Sequence, residues 1–373
     1  MKKRTMLLSQ QRLSTRPLDL ARSLFFNNKR EVKDSKNKEE EVLNNYIPHQ
    51  YHYWTGSGRE ALRQILINLM NSGIKTIGVP AFTCHVVLDA VKRAGCLPIF
   101  YDCGIVAEEK VVSKIIGKVD ALLVCYNFGF MPNMKKISEI CKKNKVILIE
   151  DCAQALGASY DNEPAGSFGD YAFYSFGISK NINFAGGLIA SKKELKIEVL
   201  PRLHFLRLFK TIIEVLVAPL FFNKHIYPFS LRLLKKELKK EQEALSYSLP
   251  KFAQRIILFQ MQHYDKILQL RRNNEELLQK ILNSQNGFTT TQKTKSSALY
   301  LVLLNQNREY IKSELLKRGV EFGVMNTFRC FDDYKLAKKA EQEHLTFALY
   351  RSLKDINLVK EVLLDVLQSN KNE

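Results

Sequence analysis

The sequence predicts an α/β protein: a large, mostly parallel sheet flanked by helices, followed by a smaller α+β C-terminal unit. Three observations point there. Between Tyr51 and Ser191 short apolar runs alternate with amphipathic stretches. After Ser191 the pattern lengthens into long helical spacing, and near Ala298 a strand-like run returns before further helices. The 373 residues, 46% of them hydrophobic, can bury a substantial core, which excludes disordered, collagenous and disulfide-scaffold classes.

Taken in order, residues 28–45 carry both charges and almost no large apolar groups, so they read as a solvated helix or loop leading into the fold. Residues 1–50 are therefore set aside as a charged N-terminal segment, with a large domain at 51–250 and a linking helix plus small domain at 251–373. Strands are predicted at Thr76–Val79, Leu97–Tyr101, Ala121–Tyr126, Val146–Ile149, Tyr171–Phe176 and Leu188–Ala190. Helical spacing marks Ala61–Met70, Val86–Ala94 and Met134–Lys143. It then runs through Lys251–Leu282, read as one long helix, and Ile311–Arg318, closed by Gly319. A strand is predicted at Ala298–Leu304.

The formal charge of +19 suits nucleic acid, an anionic membrane surface or phosphorylated small molecules, and does not choose among them. No helix-turn-helix, zinc spacing or aromatic-basic interleaving supports nucleic acid. Seven scattered cysteines without metal-ligand spacing read as reduced thiols, and no apolar stretch at the basic N-terminus reads as a secretion signal, so the expected location is the cytoplasm and no metal is expected. The apolar stretch 204–222 is interrupted by Arg207, Lys210 and Glu214 and is too short to span a bilayer. With the lysines downstream, residues 204–240 can lie in a membrane interface or cover a subunit interface or the core.

The chemistry is concentrated in Val146–Lys180. An apolar strand runs into Glu150-Asp151, placing a carboxylate at a strand's carboxyl end, where α/β sheets bind ligands. Taken alone, such an Asp is more often a cap or turn residue. A second strand ends in Ser175-Phe176-Gly177-Ile178-Ser179-Lys180, with Gly186-Gly187 beyond. A lysine in apolar surroundings loses its ammonium form more easily, which suits a Schiff-base nucleophile; a surface lysine is the alternative. Upstream, Gly56-Ser57-Gly58-Arg59 opens a helix near Glu60, either a plain glycine turn or an anion-binding helix start.

The strings IEDCAQALGASY and YSFGISKN followed by AGG resemble the signature of the DegT/StrS family of sugar aminotransferases. TGSGREAL, VPAFTCHVVLDAVKRAGCLPIFYD and NFGFMPNMKKI resemble earlier units of that family in the same order, over residues 51–195. A weaker likeness continues through SLPKFAQRIILFQMQHYDKILQLRR. The resemblance implies a fold-type-I enzyme using pyridoxal 5′-phosphate. Lys180 would be the catalytic amine that bonds the cofactor aldehyde and then moves the substrate proton. Asp151 would pair with the pyridine nitrogen, Gln154 with the phenolic side of the ring, and Ser175 with the phosphate, which would sit on Ser57, Gly58 and Arg59.

The chain departs from the family where an aromatic residue commonly stacks on the ring: Phe82-Thr83 is followed by Cys84 and His85. Either His85 stacks or another group covers the ring, and a core or capping histidine is an equal alternative. An Asn reaching the phosphate from the neighbouring subunit is replaced near Ser246, and the hydrophobic insertion at 204–229 is long. The implied function is a homodimeric aminotransferase that converts a keto sugar, nucleotide-linked, to an amino sugar for surface polysaccharide, with glutamate as amino donor. The competing reading is a catalytically silent relative that serves as a membrane-peripheral or subunit-scaffolding protein.

Overall fold

The computed structural model describes residues 6–9, 35–198, 200–201, 209, 212–214, 216–217, 221–229, 247–282 and 293–369. Helix α1 (Ser35–Asn44) and strand β1 (Tyr51–Thr55) come first, followed by α2 (Gly58–Asn71), β2 (Thr76–Pro80), β3 (Phe82–Cys84) and α3 (His85–Arg93). Next are β4 (Leu97–Tyr101), α4 (Glu109–Ile115), β5 (Ala121–Cys125), α5 (Met134–Lys143) and β6 (Ile147–Asp151). Two short strands, β7 (Ser159–Tyr160) and β8 (Glu163–Pro164), precede β9 (Tyr171–Ser175) and β10 (Gly187–Ser191).

Seven strands form the main sheet in the order β1-β10-β9-β6-β5-β2-β4. The pairs from β9 to β4 are parallel, and β10 is antiparallel to both β9 and β1. Side chains alternate across each strand, so one face carries Leu122, Val124, Leu148 and Ala172, which pack with Val112 of α4 and Met134 and Ile137 of α5. The other face carries Ala121, Leu123, Ile149 and Phe173, which pack with Ala61, Leu62 and Ile65 of α2 and Val87 of α3. Covering both faces is why these strands read as continuous apolar runs.

The second half holds α6 (Lys251–Gln262), α7 (Tyr264–Leu282), β11 (Thr294–Lys295), β12 (Tyr300–Leu304) and α8 (Arg308–Lys317). It ends with β13 (Phe328–Cys330), α9 (Lys335–Glu343), β14 (His344–Ala348) and α10 (Leu353–Ser369). The single helix expected over Lys251–Leu282 is two helices. His263 leaves helical geometry (φ −109°, ψ 5°), and its Nδ1 lies 3.0 Å from the Phe259 carbonyl. The antiparallel pair β12–β14 and helices α7, α8 and α10 enclose a second core built on Leu278, Ile311, Leu315, Phe347 and Leu363. Leu8, from the charged N-terminal segment, is part of this core and pairs with Val320. Val42 and Leu43 of α1 likewise enter the main core.

A third cluster joins the two halves. Phe82, Phe128 and Phe328 pack together, the last two stacked at 4.9 Å between ring centroids, and β13 pairs antiparallel with β3 so that Phe328 lies opposite Cys84. Each buried Phe contributes roughly 2–3 kcal/mol. In the 204–240 segment, Ile212 and Leu216 pack against the main core, while Ile213 and Phe229 stay exposed at 44% and 76%. Ser246 lies outside the described residues.

Candidate active site

At the carboxyl ends of β5, β6 and β9 the chain leaves an open cleft of about 520 Å³. Its walls include Gly58, Arg59, Thr83, Cys84, Asp151, Gln154, Ser175, Lys180 and Phe328. Strand alternation decides which of two adjacent carboxylates reaches it. Asp151 shares the face of Ile149 and lines the cleft. Glu150 points to the opposite face, fully buried, where it accepts from Tyr126 Oη and from the N–H groups of Gly166 (2.8 Å) and Gly169.

Burial raises the Asp151 carboxyl above its ordinary value; the Ala153 N–H at 2.9 Å, the nearby Lys180 ammonium and the Cys125 thiol pull it partly back. Lys180 is half-buried on the turn after β9. That turn is held from several directions. Asn183 Nδ2 donates to the carbonyls of Ile178 and Lys180 (both 2.7 Å), Tyr300 Oη to that of Ser179 (3.2 Å), and Asn181 Nδ2 to Tyr264 Oη (2.9 Å). Gln260 Oε1 accepts from the Asn183 N–H at 3.3 Å.

Ser57 caps α2: its Oγ accepts from the Glu60 N–H at 3.1 Å, and Gly58 and Arg59 at the positive end of this 14-residue helix line the cleft. Gly58 has no room for a side chain, since a Cβ there would stand 2.8 Å from Ser175 Cβ. Arg59 reaches the cleft wall while pairing with Asp89 at 3.4 Å.

Gln154 is buried with its Oε1 accepting from the Phe128 N–H at 2.7 Å, which fixes Phe128 in a left-handed conformation (φ 59°). Its Nε2 has no hydrogen-bond partner among the described residues. A buried donor left unmade costs about 1–3 kcal/mol, so this one is suited to a ligand acceptor in the cleft.

The structure thus brings Gly58, Arg59, Asp151, Gln154, Ser175 and Lys180 to one cleft, with Ser57 at its helix cap. It does not bring His85 there. The His85 N–H donates to the Thr327 carbonyl at 2.8 Å, and the ring Nδ1 lies 3.1 Å from the same oxygen, so the ring is engaged at the start of α3 and is not among the residues lining the cleft. The expected stacking role is therefore not supported by its position. Cys84 and Phe328 are among the residues that do line the cleft. Phe328 was missed because only the three-residue pairing of β13 with β3 brings it to the site. Thr83, buried and donating to Cys125 Sγ at 3.4 Å, was likewise not singled out.

Comparison with known proteins agrees with this architecture. Over 147 residues the chain is 32% identical to the GDP-perosamine synthase of Escherichia coli O157:H7, covering 38% of this chain and 40% of that protein. It is 32% identical over 134 residues to a UDP-N-acetyl-3-dehydro-alpha-D-glucosamine 3-aminotransferase of Acidithiobacillus ferrooxidans, covering 35% and 36%. These matches span about two fifths of the relatives' length.

Among solved structures, Helicobacter pylori PseC, an aminotransferase involved in the biosynthesis of pseudoaminic acid, superposes with a TM-score of 0.70 at 16% identity over 98% of this chain and 100% of that one. The sugar aminotransferase CalS13 of Micromonospora echinospora gives 0.71 at 15% identity, over 96% and 100%. Those likenesses establish the fold. The profile of the DegT/DnrJ/EryC1/StrS aminotransferase family matches residues 27–351, and on that match, covering most of the sequence, the chain belongs to this family.

Proposed function

We propose that the protein is a pyridoxal 5′-phosphate-dependent aminotransferase. In this reading it converts a nucleotide-linked keto sugar to an amino sugar for surface polysaccharide in the cytoplasm, with glutamate as amino donor. One observation carries the reading: Lys180 and Asp151 line one cleft, whose wall also includes Gly58 at the N-terminus of α2. The residues present fit the cofactor. The Gln154 Nε2 lacks a partner among the described residues and suits the ring's phenolic oxygen, and the Gly58 main chain at the start of α2, packed close against the Ser175 side chain, is suited to a phosphate.

When bound, the cofactor supplies an electron sink that makes the proton on the amino-bearing carbon removable. Lys180 Nζ takes up and returns that proton. The Asp151 carboxylate holds a proton on the ring nitrogen, and Ser57, Gly58, Arg59 and Ser175 bind the phosphate. Phe328 and Cys84, which line the same cleft, would give a bound cofactor apolar contact. The presence of both Lys180 and Asp151 in one cleft weighs against a catalytically silent relative.

The test is to mix purified protein with pyridoxal 5′-phosphate and record its visible absorption, then assay glutamate with a panel of nucleotide keto sugars. Wild type gains the band and turns over; Lys180→Ala loses both. Turnover retained by Lys180→Ala ends the reading. The enzyme is proposed to work as a homodimer, which sedimentation equilibrium checks.

A peripheral membrane contact through 204–240 is proposed as well. Ile213, Ile226 and Phe229 are exposed, and between Arg202 and Lys240 nine Lys or Arg stand against two Glu. Among the described residues no helix is long and apolar enough to cross a membrane. Co-sedimentation with vesicles rich in phosphatidylglycerol, lost on Phe229→Ser with Ile226→Ser, is the expected result.

A further inference from the structure

Tyr264 opens α7 just past the break at His263, and it is fully buried. Its hydroxyl touches both stretches that carry the signature residues. Oη donates to the Leu156 carbonyl at 3.0 Å, in the turn that follows Asp151 and Gln154. It accepts from Nδ2 of Asn181, the residue after Lys180, at 2.9 Å, and from Nη1 of Arg271, further along α7, at 3.2 Å. Gly157 leaves room for the ring: at φ +81° it carries no side chain, and a Cβ there would stand 3.2 Å from Tyr264 Cε1.

The proton count fixes the direction of each bond. A carbonyl only accepts, a guanidinium only donates, and a phenol has one proton. That proton goes to Leu156, so Asn181 presents its amide N–H to the oxygen. Burial raises the phenol above its ordinary value, and it keeps the proton at neutral pH. The two stretches differ in what else holds them. On the Gln154 side, Ser297 Oγ donates to the Gln154 carbonyl and Arg272 Nη2 to the Gly157 carbonyl, both at 2.6 Å. On the Lys180 side, Asn183 braces the turn from within and Tyr300 reaches Ser179 from β12, while Tyr264 ties the turn to the Gln154 stretch.

We propose that Tyr264 is a positioning residue that holds the Lys180 amine in register with the side of the cleft formed by Asp151 and Gln154. This rests on the cofactor reading above. The consequence is selective. Asp151, Gln154, Ser175 and Gly58 receive the ring and phosphate whether or not the amine is aimed. Joining the amine to the aldehyde needs the aim as well: the Lys180 nitrogen bonds the aldehyde carbon, and the carbonyl oxygen leaves as water with the two amine hydrogens. A misaimed amine slows that step and leaves non-covalent binding alone.

The experiment compares two forms of the cofactor on the full-length, cofactor-free protein. Pyridoxamine 5′-phosphate has no aldehyde, so calorimetric titration with it reads non-covalent binding. Pyridoxal 5′-phosphate at saturation reads the covalent step, as growth of the visible band in stopped flow. In Tyr264→Phe, pyridoxamine 5′-phosphate should bind within about twofold of wild type, while the band forms at least about tenfold more slowly. Asn181→Ala, which frees the Lys180 turn from the phenol, should show the same split. Any other pattern in the variants, equal losses or no loss included, overturns the inference while the cofactor reading stands. Wild type that binds neither form, or binds without gaining the band, ends the cofactor reading and the inference with it. If Tyr264→Phe does not fold, Asn181→Ala decides by the same split.

Discussion

Glu150 and Asp151 are neighbours in sequence and project from opposite faces of β6, so two adjacent carboxylates have separate tasks. Glu150 closes the 166–169 turn and Asp151 lines the cleft. Glu150→Ala leaves Tyr126 and two turn N–H groups without their acceptor and should cost about 3 kcal/mol of stability. Denaturant unfolding of the cofactor-free protein measures this.

Asp151→Asn should act in the other direction. Burial raises the Asp151 carboxyl in the folded state, so its contribution to stability falls as pH rises from the unfolded value through the folded one. At neutral pH the cofactor-free variant should melt higher than wild type while binding pyridoxal 5′-phosphate at least about tenfold more weakly. A variant that is less stable and binds equally well would contradict both expectations.

Glu275 gives a second pH signature. Burial pushes its carboxyl up to about 7, against the pull of Ser296 Oγ, which lies 2.7 and 2.8 Å from the two carboxylate oxygens. The folded protein therefore holds this proton more tightly than the unfolded chain. The stabilisation is complete below the ordinary 4.5 and is lost as pH rises through about 7, a span worth about 3 kcal/mol. Glu275→Gln should flatten the melting temperature across that interval, and a series of thermal melts shows it.

Phe328 links the small unit to the cleft. Phe328→Ala removes a ring stacked on Phe128 and facing Phe82, and should cost about 3 kcal/mol. It also removes part of the apolar wall, so cofactor affinity should drop with stability, as fluorescence titration reads.

Gly58→Ala places a Cβ 2.8 Å from that of Ser175, so α2 and β9 must move apart at the phosphate end. The melting temperature and cofactor affinity should both fall. Adding Ser175→Gly restores the space and the melting temperature, but not the affinity, because the Ser175 hydroxyl is gone.

Most strands of the main sheet were legible because both faces are covered, leaving uninterrupted apolar runs at β2, β5, β6, β9 and β10, while the outer strand β4 was legible from its run Leu97–Tyr101 although Leu97 is exposed. Edge strand β1 was not, since Tyr51-His52-Tyr53-Trp54-Thr55 mixes polar and aromatic groups and pairs only with β10. Asp151, Gln154, Ser175 and Lys180 were legible because they cluster in one stretch of sequence. The cleft wall made by Phe328, and the engagement of His85 by Thr327, depend on a pairing between β3 and β13 that no local pattern announces. The break at His263 was likewise hidden, because apolar spacing continues across it.

The turn that carries Lys180 is tied to Gln260 of α6, Tyr264 of α7 and Tyr300 of β12, all in the second half of the chain. Every signature residue nevertheless precedes residue 195. A polypeptide cut at that point would keep the full motif and lose the scaffolding that aims its amine, so recognisable letters and a working geometry are separable properties of this protein.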